Sequence, residues 1–435
     1  MRRIAAGLRC TVALALLALA GAGCERHPGR TTIRFWGMGR EGEVVQDLVK
    51  DFEREHPDIH VVVQQLPWTA AHEKLITAYV GRSTPDVSQL GNTWIPEFAA
   101  LRAIEPLRPW LAKTAGLDSA AYFSGIWDTN VIDGEPYGVP WYVDTRLLFY
   151  RKDILRRAGY ASMPQDWAGW KDAMRAVKRV VGKDRYAIFL PTNEWNPPVI
   201  AGLQAGSTLL KDGDTRAAFR DSAFRRGFDF YMSLYRENLA PAIGNNEISN
   251  VYQEFARGYL NMWITGPWNM GEMRNRLPDS LKDAWACAPL PGPTGAASGV
   301  SLAGGSSLVL FRASEHKEAA WALIEYLSRP DVQLRFMHLT GDLPGRLECW
   351  RDTALTRDAN LRAFGVQLTR VVATPKVPEW EEIAIRVQDQ VERVVRRAST
   401  PDSAMADLSA DVDRMLEKRR WLRERANAAG AGGSR

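Results

Sequence analysis

Five of the sixteen tryptophans share one context: each follows a segment that reads as a β-strand and opens the loop after it. Trp36 follows Thr-Ile-Arg-Phe, Trp94 follows Val-Ser-Gln-Leu-Gly-Asn and Trp141 follows Tyr-Gly-Val-Pro. Trp195 comes after Tyr-Ala-Ile-Phe-Leu, and Trp268 after Met-Trp-Ile-Thr-Gly-Pro. In α/β proteins the ends of strands are where ligands bind. An indole there offers a flat face carrying negative quadrupole charge, which suits the apolar C–H face of a sugar ring. An indole on the apolar stripe of an element is core instead.

Other chemistry is thinly represented. Gly37-Met-Gly39-Arg-Glu-Gly42 is a GxGxxG between a strand and a helix, the setting of a dinucleotide-binding turn. That motif calls for an acid at the end of the next strand, but this strand ends Gln64-Gln65-Leu66-Pro67. Trp36, directly before the glycines, would also crowd a pyrophosphate. An exported NAD-type oxidoreductase is therefore the alternative from a different class. His72-Glu73 lacks a second histidine at zinc spacing, there is no GxSxG, and the six histidines are scattered. Acidic pairs such as Asp133/Glu135 and Glu381/Glu382 read as a turn and a solvated helix face. No metal, cofactor or catalytic group is expected.

The elements that must position these residues alternate. Thr31 to Trp36 reads as a strand, and Glu43 to Glu55 as a helix with Val44, Val45, Leu48, Val49 and Phe52 on one face. His60 to Leu66 and Asp86 to Leu90 are further strands, with a helix from His72 to Val80 between them. This order predicts a mostly parallel sheet covered on both faces. Residues 133–150 form a turn and a long extended run, long enough to pass between lobes. A helix is expected to start at Ser314, and Trp380, Ile383, Ala384, Val387, Val391 and Val394 define an amphipathic helix.

The N-terminus carries an export signal. Arg2, Arg3 and Arg9 precede the apolar run Thr11 to Ala20, which is too short to span a bilayer. Gly21-Ala22-Gly23 before Cys24 resembles a lipobox, with Gly21 where leucine is usual, so Cys24 is the expected lipidation site. Without residues 1–23 the net charge of +5 falls by three arginines to +2, near neutral. Charge thus gives no argument for nucleic acid. Cys287 and Cys349 remain beyond the anchor, and their pairing is open.

Taken together, the chain resembles the extracellular solute-binding proteins of carbohydrate ABC importers, the family that includes maltose-binding protein. TTIRFWG, FEREHPDIHVVVQQLPW, DGEPYGVPWYVDTRLLFYRKDIL, FARGYLNMWITGPWNM, APLPGPTG and TGDLPGR carry the likeness by their order and spacing. The resemblance implies an α/β, two-lobed periplasmic-binding-protein fold (type II) with three crossover strands, near 140–147, 299–303 and 341–349. After a signal peptide (1–23) and tether (24–30), residues 31–141 and 304–342 would form one lobe. Residues 146–299 and 349–420 would form the other, and 421–435 a disordered tail. It also implies a sugar held between the lobes, hinge closure, and delivery to the transmembrane permease subunits of an ABC importer. The protein would be a monomer outside the cytoplasm, lipid-anchored in the cell envelope.

The implied ligand residues are Trp36, Glu41, Asn92, Trp94, Trp141, Asp144, Arg146, Trp195, Trp268, Gly304, Gly305, Arg346 and Trp380. Trp68, Trp263 and Trp350 stay open, near the cleft rim or the crossovers. Some members of the family take glycerol phosphate esters, and Arg40, Arg146 and Arg346 leave that ligand open.

Overall fold

The computed structural model describes residues 29–432, with side chains to Arg425. The export signal and Cys24 lie outside the described residues. The first lobe is built on a six-stranded sheet. Its strands, in spatial order, are Leu343–Pro344, Val139–Asp144, Gly304–Leu310, Val87–Gly91, Thr31–Met38 and Ile59–Leu66. The last three are parallel, with Thr31 opposite Ile59 and Trp36 opposite both Gln64 and Ser88. Helix Gly39–Glu55 covers one face with the expected stripe, burying Val44, Val45, Leu48, Val49 and Phe52. It starts four residues earlier than its periodicity predicts, because the strand runs on to Met38 and turns directly into it at Gly39.

The second lobe has a three-stranded antiparallel sheet in the order Met262–Thr265, Leu147–Arg151, Trp285–Ala288. Helices Trp167–Val181, Ser222–Arg236, Trp380–Val395 and Pro401–Met415 share one core there, whose members include Trp170, Phe228, Trp380 and Val412. The first lobe has a core on each sheet face, one around Phe35, Phe52 and Trp141 and one around Met38, Phe98 and Phe311.

Short links join the strands of the two lobes. Strand Val139–Asp144 belongs to the large sheet and Leu147–Arg151 to the small one, separated only by Thr145 and Arg146. Ser301–Leu302 pairs with Val371–Val372 in the second lobe, and Gly304 already pairs with Asp144 in the first. Leu343–Pro344 pairs with Val143 and Tyr142 before the chain turns into Leu347–Arg351. A separate apolar cluster, including Phe123, Val143, Leu147, Phe149, Ala303, Leu343 and Phe364, lies across these crossings.

Two local expectations are corrected, and the open cysteine pairing is resolved. Ser314 does not cap a helix. Its hydroxyl donates to Asp86 at 2.6 Å, and the helix runs from Lys317 to Leu327. Cys287 and Cys349 are both free and buried: Cys287 faces Met270, and the Cys349 thiol points to the Pro330 carbonyl. The expected disordered tail is instead helical from Glu417 to Gly432. Alanine, which recurs in this segment, is the strongest helix former.

Candidate functional site

The strand ends of the first lobe and the facing loops of the second enclose a cavity of about 570 Å³. Glu41, in the first turn of helix Gly39–Glu55, forms part of its floor. The Tyr142 hydroxyl donates to the Glu41 carboxylate at 2.8 Å and accepts from Gln89 Nε2 and Ser306 Oγ, each at 3.1 Å. Gln89 Oε1 in turn accepts from the Met38 amide at 2.8 Å. Every member of this chain is buried, so each bond satisfies a group that water cannot reach. Burial, and then the Glu41 charge, holds the Tyr142 phenol well above its usual range.

Two further carboxylates line the same wall. Asp144, at the end of its strand, bonds to Arg146 at 3.2 Å. Burial raises its pKa against the pull of Arg146 and of the Gly305 amide. Asp342 is pushed up to about 7, by burial first and then by the charges of Glu41 and Asp144. Gly304 and Gly305 pass close over Asp144 and Tyr142. Gly305 has φ +113°, and a β-carbon at either glycine would collide with the neighbouring strand. Asn92 closes this side: its carbonyl oxygen accepts from Ser307 at 3.4 Å, while its buried Nδ2 has no partner among the described residues.

Trp195 and Trp268 line the cavity from the second lobe, and Trp68 and Trp94 from the first. Trp68 and Trp94 meet edge-on at 5.8 Å, and Trp195 is braced edge-on by Trp380 at 5.6 Å. The Arg146 guanidinium lies 4.4 Å from the Trp268 ring centroid. The site thus combines flat apolar faces with acceptors (Glu41, Asp144, Asp342) and donors (Asn92, Arg146).

Nine of the thirteen candidates line this cavity: Glu41, Asn92, Trp94, Asp144, Arg146, Trp195, Trp268, Gly304 and Gly305. The other four do not. Trp36 is packed inside the sheet–helix core, with Lys74 over its ring at 5.5 Å. Trp141 is fully buried and stacked on Phe336 at 4.4 Å, because alternation along its strand turns Tyr142, not Trp141, to the cavity. Trp380 is fully buried behind Trp195, at the head of its helix's apolar stripe. Arg346 sits on the far side of the third crossing. It lies over the Tyr122 ring at 5.5 Å, and its backbone amide donates to Gln333 at 3.0 Å. Two lining residues carried no signal in the sequence: Tyr142, which adjoins Trp141, and Asp342, on the third crossing. Trp68, left open from sequence, also lines the cavity; it opens the helix after a strand end, a position that fits the rule applied to the other tryptophans.

The model of bacterial extracellular solute-binding proteins matches residues 37–334. The chain belongs to this family. This solute-binding protein is similar to the sugar-binding protein MalE of the phytopathogen Xanthomonas citri, at 52% identity and a TM-score of 0.88. The match covers 91% of this chain and 99% of that one. It is also 25% identical over 369 residues to the diacetylchitobiose binding protein DasA of Streptomyces coelicolor, covering 83% of this chain and 84% of the relative. An uncharacterized lipoprotein of Streptomyces antibioticus is 28% identical over 404 residues, with 86% of each chain covered.

The glycines of GxGxxG have another use in this solute-binding protein. A β-carbon on Gly37 would lie 2.7 Å from the Gly42 Cα, and one on Gly42 would lie 2.5 Å from the Gly37 oxygen, so strand end and helix start touch backbone to backbone. The Trp68 indole fills the space beside Gly39, 2.8 Å from where a β-carbon would be. A pyrophosphate would need that space. The dinucleotide reading is not favoured. Among the described residues there is no cluster able to hold a metal and no helix long and apolar enough to cross a membrane.

Proposed function

We propose that this chain captures a neutral sugar, a disaccharide or short oligosaccharide, between its lobes and carries it to the permease of an ABC importer. The observation that carries the reading is the opposition of Trp195 and Trp268 on one wall to Glu41, Asp144 and Asp342 on the other. Indole faces would take the C–H faces of the sugar, and the carboxylates would accept from its hydroxyls as charge-assisted bonds. Asn92 Nδ2 would donate to a ring or hydroxyl oxygen. A stereoisomer that misplaced one hydroxyl would leave a buried group unpaired, which gives selectivity. A cavity of about 570 Å³ falls within the size of small-ligand pockets, ~300–1,000 Å³.

Hinge closure would act at Thr145–Arg146, Ala303 and Gly345–Arg346, the short links between the sheets. The reaction is binding and release, with no bond made or broken. Residues 1–23 would direct export and Cys24 would hold the mature protein, as a monomer, to the membrane.

A phosphate ester ligand is disfavoured by the cations. Arg40 is paired with Glu43 at 2.7 Å, Arg146 with Asp144, and Arg346 lies outside the cavity. A thermal-shift screen tests the reading. A ligand bound only by the native state raises apparent stability by mass action. At least one di- or oligosaccharide should raise the melting temperature in the micromolar range, with NAD and glycerol 3-phosphate inert. A shift with NAD or glycerol 3-phosphate alone would overturn it.

A further inference from the structure

The helix Glu417–Gly432 carries a surface that the sugar site does not use. Between Glu417 and Arg425 it has five cations, Lys418, Arg419, Arg420, Arg423 and Arg425, against Glu417 and Glu424. Its two sides differ. Leu416, just before it, is buried. Arg420 donates to the Thr215 carbonyl at 2.9 Å, and Arg419 approaches Glu379 at 3.9 Å, so this side is tied to the second lobe. The opposite side presents Lys418, Trp421, Leu422 and Arg425, at the i, i+3, i+4, i+7 spacing of one helical stripe.

All four are exposed, Trp421 at 51% and Leu422 at 50%. Neither Lys418 nor Arg425 is ion-paired among the described residues, and the Arg425 guanidinium rests on the Trp421 ring at 4.6 Å. An apolar pair with an indole, flanked by unpaired cations and by no carboxylate within the stripe, has the composition of a helix that lies in a membrane interface. The indole sits at the level of the headgroups, and the cations are drawn to anionic lipid.

We propose that the outer stripe of this helix, Lys418, Trp421, Leu422 and Arg425, docks on an anionic phospholipid surface. It would fix the orientation of the second lobe toward the membrane. The occupant is lipid rather than protein because the stripe is narrow, two apolar residues wide, and its charge is of one sign. The idea is independent of the sugar reading, which the thermal-shift screen tests separately.

The test is hydrogen–deuterium exchange of the amides of 417–432 in the full chain mixed with vesicles. The local readout is insensitive to whether the N-terminus is anchored. Vesicles of phosphatidylcholine with phosphatidylglycerol should slow exchange of this helix by at least about fivefold, and pure phosphatidylcholine should not. About 0.5 M salt should return it to the free rate. Lys418→Gln/Arg425→Gln should lose the protection, while the rest of the second lobe exchanges as in the parent chain. Equal exchange on both vesicles overturns the proposal, as does equal protection on both. Protection that appears without vesicles and rises with protein concentration assigns the stripe to a second copy and overturns it as well.

Discussion

The Arg146 guanidinium lies over the Trp268 ring at 4.4 Å, joining the link between the two sheets to the second-lobe wall of the cavity. Arg146 also bonds to Asp144, so one side chain connects the acidic wall to the aromatic one. A ligand in the cavity would meet an indole whose orientation is already set. Trp268 is 45% exposed and belongs to none of the apolar cores. Trp268→Ala should therefore weaken sugar binding about tenfold, the scale of a lost aromatic contact plus its buried area. Its melting temperature should stay within about 2 °C of the parent. Calorimetric titration and a melting curve on the same sample check both.

The opposite result is expected at Trp141. Its ring is fully buried against Phe336 and Phe35. Trp141→Ala should cost about 3–5 kcal/mol of stability. The folded fraction should bind sugar with nearly unchanged affinity. A large loss of affinity without loss of stability would return Trp141 to the site.

Tyr142→Phe removes one hydroxyl from a buried chain and leaves Glu41, Gln89 and Ser306 each short of a partner. The expected cost is about 1–3 kcal/mol, read by denaturant unfolding. Affinity should fall as well, because the Glu41 carboxylate loses the bond that orients it.

Asp342 gives a pH dependence with a definite sign. Its folded pKa, about 7, is above that of the unfolded chain. The folded state therefore holds the proton more tightly, and this group's relative contribution to stability is fully present below the unfolded value and is lost as pH rises through about 7. Asp342→Asn should stabilise the sugar-free protein near pH 8, by about 1 kcal/mol or more, and give little gain near pH 4. Melting curves at the two pH values test this. If Asp342 also accepts from the ligand, the same variant binds sugar more weakly, trading function for stability.

His72 is held above the usual imidazole range, first by its bond to Glu97 at 2.7 Å and further by Glu381 from the second lobe. For this raised group the stability is present below the unfolded imidazole value and lost as pH rises through the folded one. His72→Gln should destabilise the protein near pH 5 and have little effect near pH 9, by less than ~1 kcal/mol because the pair is part-exposed.

Much of this site was legible because strand ends mark it. Asn92, Trp94, Asp144, Trp195 and Trp268 all follow strand signals, and the structure gathers them around one cavity. The failures have particular causes. Trp36 looked like a strand end, but the strand continues two residues further to Met38, which puts the indole in the sheet interior. At Trp141 and Tyr142, alternation fixes that only one faces the cavity, and sequence alone does not set the phase. Trp380 heads an apolar stripe whose geometry makes it core, and its ring packs edge-on against Trp195. Arg346 and Asp342 share the third crossing, yet the chain direction there turns the acid toward the cavity and the arginine toward Tyr122. Residues 421–432 are helical rather than disordered because they are rich in alanine and also carry arginine and leucine, all good helix formers.

The most direct measurement of the central claim is titration calorimetry with a panel of di- and oligosaccharides on the parent chain and on Trp195→Ala/Trp268→Ala. The account predicts micromolar binding of at least one sugar by the parent and a loss of about a hundredfold in the double variant, which still melts in one cooperative transition. Equal binding by the two proteins, or no binding of any sugar by the parent, would contradict it.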